Sequence, residues 1–357
     1  KRAELIAILK QQKSICFDTE TTGTDANDCE LVGLSFAIKH GQGWYVPVPA
    51  DQNEATNIVN EFKPVLEDAA IGKTGQNIKY DVLMLKWYGV EVKGDLFDTM
   101  LAHYIIDPDT RHNMDILSEN YLGYTPVSIT ELIGAKGKNQ GSMRDVEFEK
   151  IKEYAAEDAD STLQLRGVFE PKLKEVEGEK LVHEIEYPLI YVLADMEYEG
   201  VRIDHNTLNE FSKELETDIN KLEKVVYEKA GVRFNIASPK QLGEVLFEKL
   251  MLDPKAKKTK TGQYQTGEDV LLSLAAKSDI VRDILDYRQL QKLKSTYVDA
   301  LPQMVNKKTG RVHTSYNQAI AATGRLRATN PYGQNIPIRT ERGRYVRKAF
   351  IPRDANH

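Results

Sequence analysis

The run Ser14-Ile-Cys-Phe-Asp-Thr-Glu-Thr-Thr-Gly23 places two carboxylates, Asp18 and Glu20, two residues apart at the end of a short apolar stretch. On a β-strand that spacing turns both acids to one face of the sheet, with Ile15 and Phe17 on the other. Packing gives no reason to aim two acids at one point. Their repulsion costs stability unless a cation or a proton is shared between them, so a divalent metal site is the economical explanation.

Two further constellations strengthen this reading. In Gly75-Gln-Asn-Ile-Lys-Tyr-Asp81, Asn77 and Asp81 are four residues apart, and in Tyr154-Ala-Ala-Glu-Asp158 so are Tyr154 and Asp158. If both stretches are helical, each pair shares one helix face. The nearby carboxylates Asp98, Glu157 and Asp160 read as caps or solvated faces, and Gly134-Ala-Lys-Gly-Lys138 lacks the spacing of a Walker phosphate loop.

At 357 residues the chain is expected to form two or three domains. Its 41% hydrophobic and 29% charged residues are those of a water-soluble globular protein, and no apolar run approaches a membrane span. Two cysteines give neither a disulfide framework nor a zinc spacing, and the seven histidines form no ligand pattern, which fits a cytoplasmic protein without membrane partners. The net charge of −6 is unevenly spread. From Leu301 to His357 eleven lysines and arginines face two acids, a local charge of +9 that leaves −15 on the rest. One end suits a polyanion and the other attracts cations.

To about Pro171, short strand patterns at Ser14–Phe17, Leu31–Ile38 and Gly43–Val48 alternate with helical ones at Ala55–Leu66, Tyr80–Tyr88, Thr99–Ile106 and Lys150–Phe169. This mixture predicts an α/β domain with helices packed on a sheet. Beyond Pro188 the texture is helical. Leu208, Phe211, Leu215, Ile219, Leu222 and Val226 form the stripe of a long amphipathic helix, and Ile280–Leu301 reads as another. Ser238-Pro-Lys-Gln241 and Thr266-Gly-Glu-Asp269 read as helix starts, with the basic loop Lys255-Ala-Lys-Lys-Thr-Lys-Thr-Gly262 between them. After Pro302 a turn at Lys307–Gly310 and alternation at Val312, Thr314 and Tyr316 signal a return to strands.

Asp18-Thr-Glu20, Asn77-x-x-x-Asp81 and Tyr154-x-x-x-Asp158, in that order, resemble the three motifs of the proofreading 3′→5′ exonucleases that use four acidic residues, in the subtype with a tyrosine in the third motif. Leu293-Lys-Ser-Thr-Tyr297, Arg311-Val-His-Thr-Ser-Tyr316, Thr323-Gly-Arg-Leu326 and Gln334-Asn-Ile-Pro337 resemble the thumb and early palm of bacterial family A DNA polymerases. The resemblance implies a ribonuclease H-like exonuclease domain at 1–175, a linker and mainly helical thumb at 176–302, and the first strands of a palm at 303–357. Tyr332-Gly333 departs from the family, which usually has Asn-Leu there. The residues to His357 include no segment like the family's Asp-Tyr-Ser-Gln-Ile-Glu and no fingers helix, so exonuclease rather than polymerase chemistry is expected of this chain.

By the same resemblance, Asp18, Glu20, Asp81 and Asp158 hold two divalent ions, Mg²⁺ or Mn²⁺. Asp18 bridges both, Glu20 and Asp158 complete the site of the attacking water, and Asp81 serves the second ion directly or through water. Tyr154 orients the water, and Asn77 fixes the helix start or contacts DNA. The single-stranded 3′ end is expected at this site. The primer–template duplex is expected at Lys257, Lys258 and Lys260 of the thumb loop and at Arg325, Gln334 and Asn335. A monomer in the bacterial cytoplasm, associated with the nucleoid, is implied. The competing expectation is a DNA-binding piece of such a polymerase whose exonuclease is silent, against which the four intact acids stand.

Overall fold

The computed structural model describes residues 1–331, 336–338 and 340–354. The chain divides into two compact units, Lys1–Gly200 with His313–Gln334, and Val201–Val312 with Asn335–His357.

The first unit is built on a five-stranded mixed sheet, β1 (Ser14–Thr21), β2 (Leu31–Lys39), β3 (Gln42–Pro47), β4 (Gly72–Gly75) and β5 (Leu96–Asp98), in the order β3-β2-β1-β4-β5. The β1–β2 and β2–β3 pairs are antiparallel, and β1–β4 and β4–β5 are parallel. Helices cover the sheet, and this is the ribonuclease H-like α/β arrangement expected. Ile15 and Phe17 are fully buried in the main core with Leu34, Phe36 and Phe62, so β1 is fixed in register by its apolar face. β1 runs four residues past Phe17, which brings both acids into the strand.

The helix Phe148–Glu175 lies across the other face. Small residues let it approach closely: Cys16, Ala37 and Ala159 pack together, and a Cβ on Gly43 of β3 would lie 2.6 Å from the Ala156 carbonyl oxygen. Arg166 of this helix donates to Ser14 Oγ and Thr74 Oγ1, both at 2.7 Å, tying it to β1 and β4. The helix expected at Ala55–Leu66 breaks at Phe62 into Gln52–Glu61 and Lys63–Leu66, because Pro64 lacks the amide that a continuous helix would use.

The segment from His313 returns to this unit. Its hairpin, Ser315–Asn317 with Arg327–Thr329, is anchored on the buried ion pair of Lys79 and Glu197. Glu197 Oε1 accepts from the Tyr316 amide at 2.7 Å, Lys79 Nζ donates to the Tyr316 carbonyl at 2.7 Å, and His313 Nδ1 donates to the Glu197 carbonyl at 2.7 Å. The strand pattern expected from Val312 begins later, at Ser315, while Val312 itself bridges to Val201 and Val305.

The second unit is mainly helical, as expected of a thumb. The helix His205–Ala230 buries Leu208, Phe211, Leu215, Ile219 and Val226 in one core with Ile280, Val281, Ile284 and Tyr287 of the helix Asp279–Leu293. The single helix expected over Ile280–Leu301 is interrupted by a π-helical turn at Lys294–Val298, where the Asp299 amide bonds the Lys294 carbonyl at 2.9 Å. Ser238 caps the helix beginning at Pro239. Thr266 does not cap: the next helix starts at Glu268 with Gly267 in the cap position, and the Thr266 carbonyl accepts from Arg288.

Candidate active site

Asp18 and Glu20 sit at the C-terminal end of β1 and point to the face covered by the helix Phe148–Glu175, from which Asp158 reaches toward them. One carboxylate oxygen from each of Asp18, Glu20 and Asp158 lies within 4.8 Å of the others. β2 makes room, because Gly33 stands opposite Glu20 and the ring of Tyr45 lies over that glycine. Three carboxylates so close repel each other unless cations or protons lie between them. Glu20 is 5% exposed, and its Oε1 is buried without a hydrogen-bond partner. A buried carboxylate with one oxygen left unbonded, converging with two further hard oxygen donors, fits a divalent cation of the magnesium or manganese type.

The electrostatics agree. Burial pushes the Asp18 carboxyl up to about 7, with the Thr19 amide pulling the other way. Glu20 is held well above the usual carboxylate range by burial and then by the charges of Asp18, Asp158 and Asp81. Asp158 is raised by burial and by Asp18, against a hydrogen bond from Tyr154. Tyr154 is itself raised well above the normal phenol range, first by burial and then by Asp158, so its hydroxyl keeps its proton.

Asp81 approaches differently. β4 pairs with β1 only as far as Cys16, so beyond that point the β4 side of β1 has no ladder partner. Asp81, on the helix Ile78–Trp87, fills the gap: its Oδ1 accepts from the Thr19 amide at 3.1 Å and from Thr19 Oγ1 at 2.5 Å. It is 2% exposed and raised well above the usual range by burial and by Asp18. Asp81 therefore lies beside the triad rather than within it.

Asn77 does not share a helix face with Asp81. It precedes the helix in a left-handed conformation, φ 56°, which asparagine tolerates better than most residues, and its side chain makes no capping bond. The helix start is held by Asp98, whose sequence context reads as a cap or a solvated acid. Asp98 is a cap, but a buried one serving two helices. It accepts the amides of Asn77 (3.3 Å) and Ile78 (2.9 Å) as well as those of Met100 (2.8 Å) and Leu101 (3.2 Å). Burial raises it to about 6 while these four bonds pull it down. Asp preceding Thr99-Met-Leu is a legible helix start, but nothing in the sequence signals its second duty. Glu157 accepts from Tyr124 Oη and the Val127 amide, and Asp160 from the Gly41 amide and Gln164, which are structural roles.

Of the expected duplex contacts, Lys257, Lys258 and Lys260 are exposed on a loop of the second unit, with Lys258 Nζ 4.3 Å from the centre of the Tyr264 ring. Arg325 is exposed in the first unit, and Gln334 and Asn335 lie outside the described residues. No helix among the described residues is long and apolar enough to cross a membrane.

Residues 1–174 match the family model described as 3′-5′ exonuclease, and residues 205–357 that of DNA polymerase family A. The chain is 43% identical over 354 residues to DNA polymerase I of Pseudomonas aeruginosa, covering 96% of the chain and 39% of that protein. It is 43% identical over 362 residues to DNA polymerase I of Rhizobium leguminosarum, covering 94% of the chain and 35% of that protein. Among solved structures, the POL domain of Pol1 from M. smegmatis, in complex with DNA primer-template and dNTP, aligns at TM-score 0.79 and 31% identity over 98% of this chain and 57% of that one. Residues 1–174 therefore carry a 3′-5′ exonuclease domain, and residues 205–357 belong to DNA polymerase family A. The chain spans somewhat more than a third of the length of the curated relatives it matches.

Proposed function

We propose that the chain removes nucleotides from the 3′ end of single-stranded DNA as 5′-mononucleotides, the proofreading reaction of a DNA polymerase I-type enzyme. The observation that carries this reading is the convergence of Asp18, Glu20 and Asp158 with a buried, unbonded Glu20 oxygen. These three acids and Asp81 would hold two divalent ions, Mg²⁺ or Mn²⁺, which when bound would supply acidification of the attacking water and neutralisation of charge at the leaving 3′ oxygen.

The chain's own residues do the positioning. Asp158 and Glu20 fix the attacking oxygen, and Asp18 faces both sides of the site. The protonated Tyr154 hydroxyl, one helical turn from Asp158, orients that oxygen; it is not the base. Asp81, steadied by Thr19, sets the side of the leaving group, and Asn77 contacts the DNA strand. Residues 1–175 act as the exonuclease domain and 176–302 as linker and thumb, while 303–357 open a palm. Lys257, Lys258, Lys260, Arg325, Gln334 and Asn335 hold the primer–template duplex through charge and polar contacts that position rather than read sequence. The protein works as a monomer in the bacterial cytoplasm near the nucleoid.

A 5′-labelled oligonucleotide incubated with the protein and Mg²⁺ or Mn²⁺ should shorten stepwise from its 3′ end and stay intact in chelator. An oligonucleotide left whole with fresh protein and either metal would refute the reading.

A further inference from the structure

The turn that precedes Arg325 is built around a side chain of the exonuclease domain. Ala321, Ala322, Thr323 and Gly324 form a tight turn closed by the Gly324 amide on the Ala321 carbonyl at 3.0 Å, with Gly324 at φ +73°. The Tyr104 hydroxyl enters the mouth of this turn. It donates to the Ala321 carbonyl at 2.6 Å and accepts from the Gly324 amide at 3.2 Å, so it bonds both backbone groups that close the turn. Tyr104 belongs to the helix Thr99–Ile106, whose N-terminus is capped by Asp98, and its ring is 4% exposed, packed edge-on against His112 at 5.7 Å. Arg325, the next residue after the turn, is exposed.

We propose that Tyr104 is a positioning residue for duplex DNA. Its hydroxyl holds the Ala321–Gly324 turn in the conformation that presents Arg325, so the exonuclease domain serves as scaffold for a duplex contact distinct from its own acidic site. A phenol suits this role because one atom supplies both donor and acceptor, and the buried ring fixes where that atom lies. Removing the hydroxyl leaves a carbonyl and an amide to be satisfied by water or by each other, and the turn gains freedom without loss of ring packing. The proposal rests on the reading of Arg325 as a duplex contact, and the experiment separates the two.

Affinity for a fluorescent primer–template duplex is measured in chelator for the 357-residue chain and its Tyr104→Phe, Arg325→Ala and double variants, together with hydrolysis of a single-stranded oligonucleotide in Mg²⁺. Tyr104→Phe should weaken duplex binding about 3–10-fold, the effect of losing one or two net hydrogen bonds. It should leave single-strand turnover unchanged, speed amide exchange at Gly324, and add nothing to the loss caused by Arg325→Ala, because both act on one contact. If Arg325→Ala leaves duplex affinity intact, the duplex-contact reading fails and the scaffold proposal with it. If Arg325→Ala weakens binding while Tyr104→Phe does not, or if the two losses add, the positioning role alone is overturned. An equal loss of single-strand turnover in Tyr104→Phe would mark a general structural role and overturn it as well.

Discussion

Asp81 Oδ1 accepts both the amide and the hydroxyl of Thr19, the residue that stands between Asp18 and Glu20 in sequence. The second exonuclease motif is thereby bonded to the first through protein atoms. Thr19→Val keeps the amide and the shape but removes the hydroxyl from a buried carboxylate. Such bonds to charged groups contribute about 1.5–3 kcal/mol, so turnover on single-stranded DNA should fall about 10–100-fold with the oligonucleotide KM little changed. A steady-state comparison with wild type checks this, and a change confined to KM would count against it.

Asp158 and Tyr154 share a helix face but not a role. Asp158→Ala removes one of the three converging carboxylates and should abolish hydrolysis nearly completely. Tyr154→Phe deletes a hydroxyl whose proton stays in place at working pH, so a partial loss of about 10–10³-fold is expected, roughly 1.4–4 kcal/mol of transition-state stabilisation. Equal severity in the two variants, with Mn²⁺ binding retained in Tyr154→Phe, would mean that the tyrosine takes part in proton transfer.

The raised acids make metal binding and pH interdependent. Burial pushes the Asp18 carboxyl up to about 7, and burial together with neighbouring charges holds Glu20, Asp81 and Asp158 well above the usual carboxylate range as well. Groups raised in the folded state stabilise it fully below the unfolded carboxylate range, and that contribution is lost as pH climbs through about 7. Melting temperature in chelator should therefore drop as pH rises through neutrality, and Mn²⁺ should reverse the drop. Calorimetric titration should show proton release on Mn²⁺ binding and weaker affinity as pH is lowered. A Mn²⁺ affinity indifferent to pH across this range would contradict the raised acids.

Close approach of the Tyr154 helix depends on Gly43. An added Cβ would meet the Ala156 carbonyl oxygen at 2.6 Å, a backbone atom that cannot swing away. Gly43→Ala should destabilise the protein by about 1–3 kcal/mol and slow hydrolysis by displacing Asp158 from Asp18 and Glu20. Denaturant unfolding and single-strand turnover measure both effects.

The acidic site is legible in the sequence wherever local periodicity decides geometry. Asp18 and Glu20 share a face because a strand repeats every two residues, and Tyr154 and Asp158 because a helix nearly repeats every four. Asn77 and Asp81 have the spacing of another such pair, but the left-handed backbone at Asn77 puts it outside the helix. β4, Gly72-Lys-Thr-Gly75, carries no strand pattern, because the fully buried Lys73 satisfies its ammonium on the carbonyls of Asp68 and Lys93 where an apolar residue would be expected. The π-helical turn after Leu293 and the return of the His313 segment rest on bonds between residues far apart or out of helical phase, which no window of sequence contains.

Asp98 gives one anion to two helix starts about twenty residues apart in the chain. Each start therefore depends on the other for the position of their common partner. Fraying of the Thr99 helix would loosen the Asn77–Ile78 start and with it the helix that bears Asp81. Local opening in this corner should consequently be all-or-none, and the acid beside the triad should be either held in place or lost together with the turn that follows β5, with no half-ordered state between.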